Sequence, residues 1–260
     1  MNGGGAPEAP WPVVMVHGTR TSHSQWDRQV PALRAAGHAV STPDLPGHGE
    51  RRDEPFTLEA AREALEQEVR GAAHRTGLPV HLVGSSLGGM LAIHVAARNA
   101  RAEPSFPLGS LVACGAAVQP TATTARLYGR MIAWSDLVPG MRPGAGGRVF
   151  RIVLGAEGAR AYLRGGRAEA TVVAPAMDAV ASLDLRADLR RVEVPVAFLH
   201  GRLDQLRLDE RSFVEAAPRG RLELLGRGSH LENLSRPDRF TPALLRVLAR
   251  SERDVRGAGV

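Results

Sequence analysis

The sequence predicts an α/β fold: a mostly parallel central sheet with helices on both faces and an inserted helical lid. Three observations carry this. Strand and helix signals alternate along most of the 260 residues, the rhythm of a parallel sheet covered by crossover helices. Several strand segments are short, unbroken apolar runs, as strands buried on both faces require. One long stretch, roughly 116–189, breaks the alternation and offers no clean strand.

The first strand is Val13-Val14-Met15-Val16. A helix around Gln29 to Ala36 stops at Gly37. His38 to Thr42 reads as a weaker strand closed by Pro43. The clearest helix places Leu58, Ala61, Leu65, Val69 and Ala72 on one face and charges on the other, so its apolar face packs on the sheet. Gly77 and Pro79 end it. Val80 to Val83 is a buried strand, followed by a helix from about Ser86 to Arg98. Further strands run over Gly109–Gly115, Pro195–His200 and Arg221–Leu225. Ser235-Arg236-Pro237-Asp238 has capping-box spacing and opens a last helix, with Phe240, Leu244, Leu245 and Leu248 inward.

The stretch without strands holds Met131, Ile132, Trp134, Leu137, Val138 and Met141, then a Gly-rich turn and short helical pieces. A long insertion with its own apolar residues is expected to be functional. The chain therefore reads as one domain over 1–260, with a lid at about 116–189.

Composition narrows the function classes. The formal charge of +6 comes from arginine alone, since the sequence contains no lysine. The arginines, from Arg20 to Arg256, alternate with Asp and Glu, which describes a mixed solvated surface rather than a nucleic-acid footprint. The single cysteine, Cys114, lies in an apolar run and is expected in the core; no intrachain disulfide can form. The first ten residues lack a signal-peptide pattern, and no apolar run reaches the length of a membrane span. A soluble, cytoplasmic protein is expected; monomer or dimer is left open.

Chemistry concentrates at Gly84-Ser85-Ser86-Leu87-Gly88-Gly89, between a predicted strand and a predicted helix. This is G-x-S-x-G in the context that gives it meaning. A serine on so sharp a turn takes a strained backbone, and glycines two positions away allow close chain approach. Ser86 is thus the candidate nucleophile; a glycine-rich turn with Ser86 as a helix cap is the plainer alternative. A serine hydroxyl needs a base. Of nine histidines, His17 and His200 end strands and read as buried turn residues, His48 lies in a turn, His81 in a strand, and His74 and His94 in helices. His230, on the loop after the last strand, is placed to reach over the sheet edge. Its orienting acid is Asp204, after the strand that ends at His200, in the chain order Ser, Asp, His. Asp209 is the rival, with Asp184 and Asp188 behind it. The backbone N–H groups of Leu87 and Thr19 are the expected oxyanion donors.

Taken with His17-Gly18, Trp26, Asp44-Leu45-Pro46-Gly47-His48-Gly49, His200 to Asp204, and Gly228 to His230 followed by Arg236-Pro237, these blocks make the chain resemble the α/β-hydrolase superfamily along nearly its whole length. The short run before the first strand is similar to the compact six-stranded members, which include small esterases, lactonases and hydroxynitrile lyases. Ser86 stands where dehalogenases and epoxide hydrolases carry aspartate. Leu231 follows His230 where the lyases carry lysine.

The resemblance implies hydrolysis of a carboxylic ester of a small, largely hydrophobic substrate through an acyl-enzyme. Neither metal nor organic cofactor is implied. Arg20, Met131, Trp134, Leu137 and Leu231 are the candidate substrate-binding residues. Thioesterase, lactonase and C–C bond hydrolase activities use the same triad, and a non-hydrolytic ligand receptor uses the same fold.

Overall fold

The computed structural model describes residues 9–135 and 147–259. Strands β1 (Val13–Val16), β2 (Val40–Ser41), β3 (Val80–Ser85), β4 (Leu108–Cys114), β5 (Val196–Gly201) and β6 (Gly220–Leu225) form one parallel sheet in the order β2-β1-β3-β4-β5-β6. The helices are α1 (Val30–Ala35), α2 (Leu58–Thr76), α3 (Leu87–Asn99), α4 (Ala122–Ser135), α5 (Arg148–Arg164), α6 (Val173–Ala181), α7 (Leu185–Leu189), α8 (Glu210–Ala216), α9 (Glu232–Ser235) and α10 (Pro237–Arg256).

Alternation along each strand explains why unbroken apolar runs were needed. Val14, Val16, Leu82, Leu111 and Phe198 join the core beneath α2, α3 and α8, together with Leu65, Leu91 and Phe213. Their neighbours Val13, Met15, Val83, Val112 and Leu199 point the other way, to Leu33 of α1 and Leu244 and Leu248 of α10. Successive side chains of a strand face opposite sides, so both faces of this sheet are covered. Helix α2 is closed at both ends: Thr57 accepts a hydrogen bond from Ala60 N–H at its start, and Gly77 takes the left-handed conformation at its end.

Three expectations change. The second strand shrinks from His38–Thr42 to Val40–Ser41; His38 turns its ring to the Trp11 carbonyl, and Pro43 has no N–H to extend the ladder. The capping box at Ser235 does not form. Ser235 instead ends α9, where its hydroxyl donates to the Leu231 carbonyl, and α10 begins at Pro237 behind Arg236 without a side-chain cap. Leu245 is only partly buried.

Between β4 and β5 the described residues include α4 to α7, with α5 broken by Gly155 at φ 74°, ψ 170°. Leu137, Val138 and Met141 lie outside the described residues. No described helix is long and apolar enough to cross a membrane.

Candidate active site

The loops leaving the C-terminal ends of β1, β3, β4, β5 and β6 converge, as ligand-binding loops do in open α/β sheets. At the centre, Ser86 separates the last residue of β3 from the first of α3. Its backbone sits at φ 52°, ψ −118°, outside the regions an ordinary side chain prefers, a strain held only where the surroundings enforce it. The enforcement is visible. Ser86 N–H donates to the Cys114 carbonyl at 2.8 Å, and Ser86 O accepts from Met90 N–H at 3.0 Å, starting the helix at once. A Cβ on Gly88 would lie 2.5 Å from the His17 carbonyl oxygen, and one on Gly84 would lie 2.3 Å from the Gly88 oxygen. Only glycine lets α3 run this close to β1 and β3. The first N–H groups of α3 lack helical partners and point out past Ser86.

A buried glutamine braces this turn. Gln25 Oε1 accepts from Gly18 N–H at 2.8 Å, and Gln25 Nε2 donates to Ser85 Oγ at 2.9 Å. The Gln25 carbonyl in turn accepts from Asn233 Nδ2 at 3.0 Å, three residues beyond His230. One side chain therefore ties the loop after β1 to the residue before Ser86, and its backbone ties both to α9. The Gly18 N–H is consumed by this bond. Thr19 follows it, partly buried, with its hydroxyl unpartnered among the described residues.

His230 Nδ1 lies 3.0 Å from Asp204 Oδ1. The same oxygen accepts from Leu206 N–H at 2.8 Å. Burial alone would raise the Asp204 carboxyl, but the His230 hydrogen bond and charge and the Leu206 N–H outweigh it and hold Asp204 below the usual carboxylate range. Asp204 is buried and His230 only slightly open to solvent. Gly115 makes the approach possible: at φ 57°, a Cβ there would lie 2.7 Å from His230 Nδ1 and 2.8 Å from Asp204 Oδ2. Gly115 directly follows Cys114, whose carbonyl holds Ser86, so the serine and the His–Asp pair are anchored to adjacent residues at the end of β4. No hydrogen bond joins the Ser86 hydroxyl to His230 among the described residues, a looseness common before substrate binds.

The rival acids are committed elsewhere. Asp209 accepts from Gln119 N–H at 2.7 Å, Asp184 caps α7 through Ala187 N–H, and Asp188 holds His94 and Arg191. Of the other strand-end histidines, His17 is buried in the loop directly after β1, whereas His200, expected in a turn, is a buried residue of β5 paired with Leu224, because the ladder with β6 continues through Gly201. His17 Nε2 accepts from Leu45 N–H at 3.0 Å, so its Nδ1–H donates to the Gly18 carbonyl; burial lowers its pKa to about 3. Burial likewise lowers His200 to about 4, and its Nδ1 accepts from Gly115 N–H. Both rings are neutral near neutral pH.

A cavity of about 210 Å³ opens beside Ser86. Its wall is almost wholly apolar, with Leu87 and Met90 from α3, Tyr128 and Met131 from α4, and Met177 and Val180 from α6. Burial pushes the Tyr128 hydroxyl up to about 12, so it stays protonated. Of the five substrate residues expected from sequence, only Met131 lines this cavity among the described residues. Trp134 is 75% exposed. Arg20 is buried with positive φ and donates from Nε to the Ala168 carbonyl. Leu231 packs against the small cluster of Leu154, Tyr162 and Leu234. Leu137 lies outside the described residues. Gln25, Asn233 and Gly115 were not anticipated; Gly115, at a predicted strand end, was the one that carried a signal.

Among the described residues, one group could hold a metal ion by its donor types: His38, His81 and Glu252, whose ligand atoms lie within 4.8 Å of one another. It sits at the start of β3, opposite Ser86. Its atoms already bond to Trp11, to Ser110 and to each other, fastening α10 to the sheet.

A serine on a strained strand-to-helix turn, above a six-stranded parallel sheet with a His–Asp pair on later loops, defines the α/β-hydrolase class of enzymes. The chain belongs to the Alpha/beta hydrolase family, whose profile matches residues 13–243. Among curated relatives, it is 28% identical over 255 residues to a pimeloyl-[acyl-carrier protein] methyl ester esterase of Neisseria meningitidis, covering 90% of this chain and 92% of that one. It is also 28% identical over 250 residues to a non-heme chloroperoxidase of Streptomyces lividans, covering 82% and 80%. Among solved structures, a thermophilic esterase from Thermogutta terrifontis superposes with a TM-score of 0.70 at 23% identity, over 94% of this chain and 91% of the other.

Proposed function

We propose that this enzyme hydrolyses carboxylic esters of small, largely apolar substrates through an acyl-enzyme on Ser86. The observation that carries the reading is the strained Ser86 turn held by the Cys114 carbonyl, with the Asp204–His230 pair packed against the next residue, Gly115. His230 Nδ1–H donates to Asp204, which leaves Nε2 with its lone pair to serve as base. Ser86 Oγ attacks the acyl carbon as His230 takes its proton. The carbonyl oxygen, now anionic, is received by the N–H of Leu87 at the start of α3 and the N–H of Thr19, the next donor after the Gly18 N–H that Gln25 occupies. Each such donor contributes about 3 kcal/mol to the transition state. The C–O bond to the alcohol then breaks, and the imidazolium returns its proton to the departing oxygen. Water, deprotonated by His230, attacks the acyl-enzyme, releasing the acid and restoring Ser86.

An ester as the scissile group is supported by the relatives named for methyl ester hydrolysis. Residues 116–189 serve as a lid: α4 and α6 supply the cavity wall above Ser86. Replacement of Ser86 by Ala is expected to abolish turnover of a short p-nitrophenyl ester. Activity retained in a clean preparation would refute the assignment, and tight ligand binding without multiple turnover by the native chain would favour a receptor instead.

A further inference from the structure

We infer that the cavity beside Ser86 receives the acyl part of the substrate, and that this part is an uncharged aliphatic chain of up to about eight carbons. The inference rests on the ester-hydrolase reading above and deepens it. It has three supports in the fold.

The first is which side of the ester the cavity serves. His230 must protonate the departing oxygen, so the alcohol leaves on the side of His230. The cavity is lined by Ser86, Leu87 and Met90 at the start of α3 and by Leu206 and Leu208 from the loop after Asp204, but neither His230 nor Asp204 is among its described lining residues. It therefore lies beyond the carbonyl, toward the N-terminus of α3, where the acyl chain extends.

The second is size. An apolar cavity of about 150 Å³ accommodates a six-carbon ring. Scaled to about 210 Å³, the space suits about eight carbons. Of its lining residues, Leu87 and Val180 are fully buried, while Leu127, Met131 and Leu208 are exposed.

The third is charge. Among the described residues, no Arg or His lines the cavity, and its polar side chains are the hydroxyls of Ser86, Thr124 and Tyr128. A carboxylate at the far end of the acyl chain would meet no cationic side chain among the described lining residues, which is strongly unfavourable for a buried charge. Neutral chains are accepted and dicarboxylic half-esters rejected.

Each methylene transferred into such a wall is worth at most about fourfold in kcat/KM. Across p-nitrophenyl acetate to dodecanoate, assayed below their aggregation limits, kcat/KM should rise to about the octanoate and then level or fall. Among alkyl butyrates from methyl to octyl it should stay nearly flat. The mono-p-nitrophenyl ester of suberic acid should react at least about a hundredfold more slowly than the octanoate. Met177→Trp, which fills the inner cavity, should lower the octanoate-to-acetate ratio at least about tenfold. An acyl series that is flat, a chain-length preference in the alcohol series, or equal rates for suberate and octanoate would overturn the inference while Ser86-dependent turnover stood. Loss of Ser86 dependence would instead overturn the ester-hydrolase reading itself.

Discussion

Asp204→Asn isolates the charge that the proposed mechanism requires. The side chain keeps its shape, and the acceptor facing Leu206 N–H is retained. What disappears is the negative charge 3.0 Å from His230 Nδ1. As His230 takes the serine proton it becomes a cation. At an effective dielectric of about 20, opposite unit charges 3–4 Å apart attract by about 4–5.5 kcal/mol. Spread over the barrier, that is three to four decades in rate, at about 1.36 kcal/mol per decade. An amide turned the other way would present N–H to the ring and select the wrong tautomer, an effect in the same direction. The variant should therefore lose about 10³- to 10⁴-fold in kcat for a p-nitrophenyl ester, with the folded state verified by thermal unfolding. A folded variant that loses less than about tenfold would refute the role of Asp204 and send the search for the acid to another carboxylate.

Gln25→Ala should lower kcat about 10- to 100-fold with little change in KM, since it frees the Gly18 and Ser85 groups that frame the reacting carbonyl without touching the cavity wall. The same change should destabilise the fold by about 1–3 kcal/mol, because both partners are left buried and unpaired; denaturant unfolding measures this, and an unchanged kcat would contradict the bracing role. Acid should also destabilise the fold in a defined window. Burial lowers His17 to about 3 and His200 to about 4, whereas the unfolded rings protonate near 6.5. Below pH 6.5 the unfolded chain binds protons that the native chain refuses. Each ring thus removes about 1.4 kcal/mol per pH unit until its folded pKa is reached. Stability should be level above pH 7 and fall steadily from pH 6.5 to 5 in denaturant titrations; a flat profile there would contradict the neutral, buried assignment.

Much of this architecture was legible in the residues because the strongest constraints are local. Val13–Val16 and Val80–Val83 are apolar throughout because both faces of the sheet are covered, and Gly84 and Gly88 are small because α3 crosses β1 and β3 at backbone contact. The approach of Asp204 to His230 was readable from their place after successive strands. What escaped were effects of side chains meeting across the fold. Gln25 looks like any polar residue of a loop until the chain brings Gly18 and Ser85 to its two ends. Ser235 had the spacing of a cap, yet α9 absorbed it and Pro237 began the next helix unaided. Trp134 and Arg20 had the right chemistry near the right motifs, but helix phase turned one outward and a left-handed backbone turned the other toward Ala168.

The reactivity of Ser86 is tested most directly by a fluorophosphonate, which reacts with activated serines and not with ordinary ones. Intact-mass spectrometry should show one equivalent bound per chain, peptide mapping should place it on Ser86, and residual esterase activity should fall in proportion to the labelled fraction. A chain that turns over ester while Ser86 remains unlabelled, or that is fully labelled elsewhere with activity intact, would contradict nucleophilic catalysis by this serine.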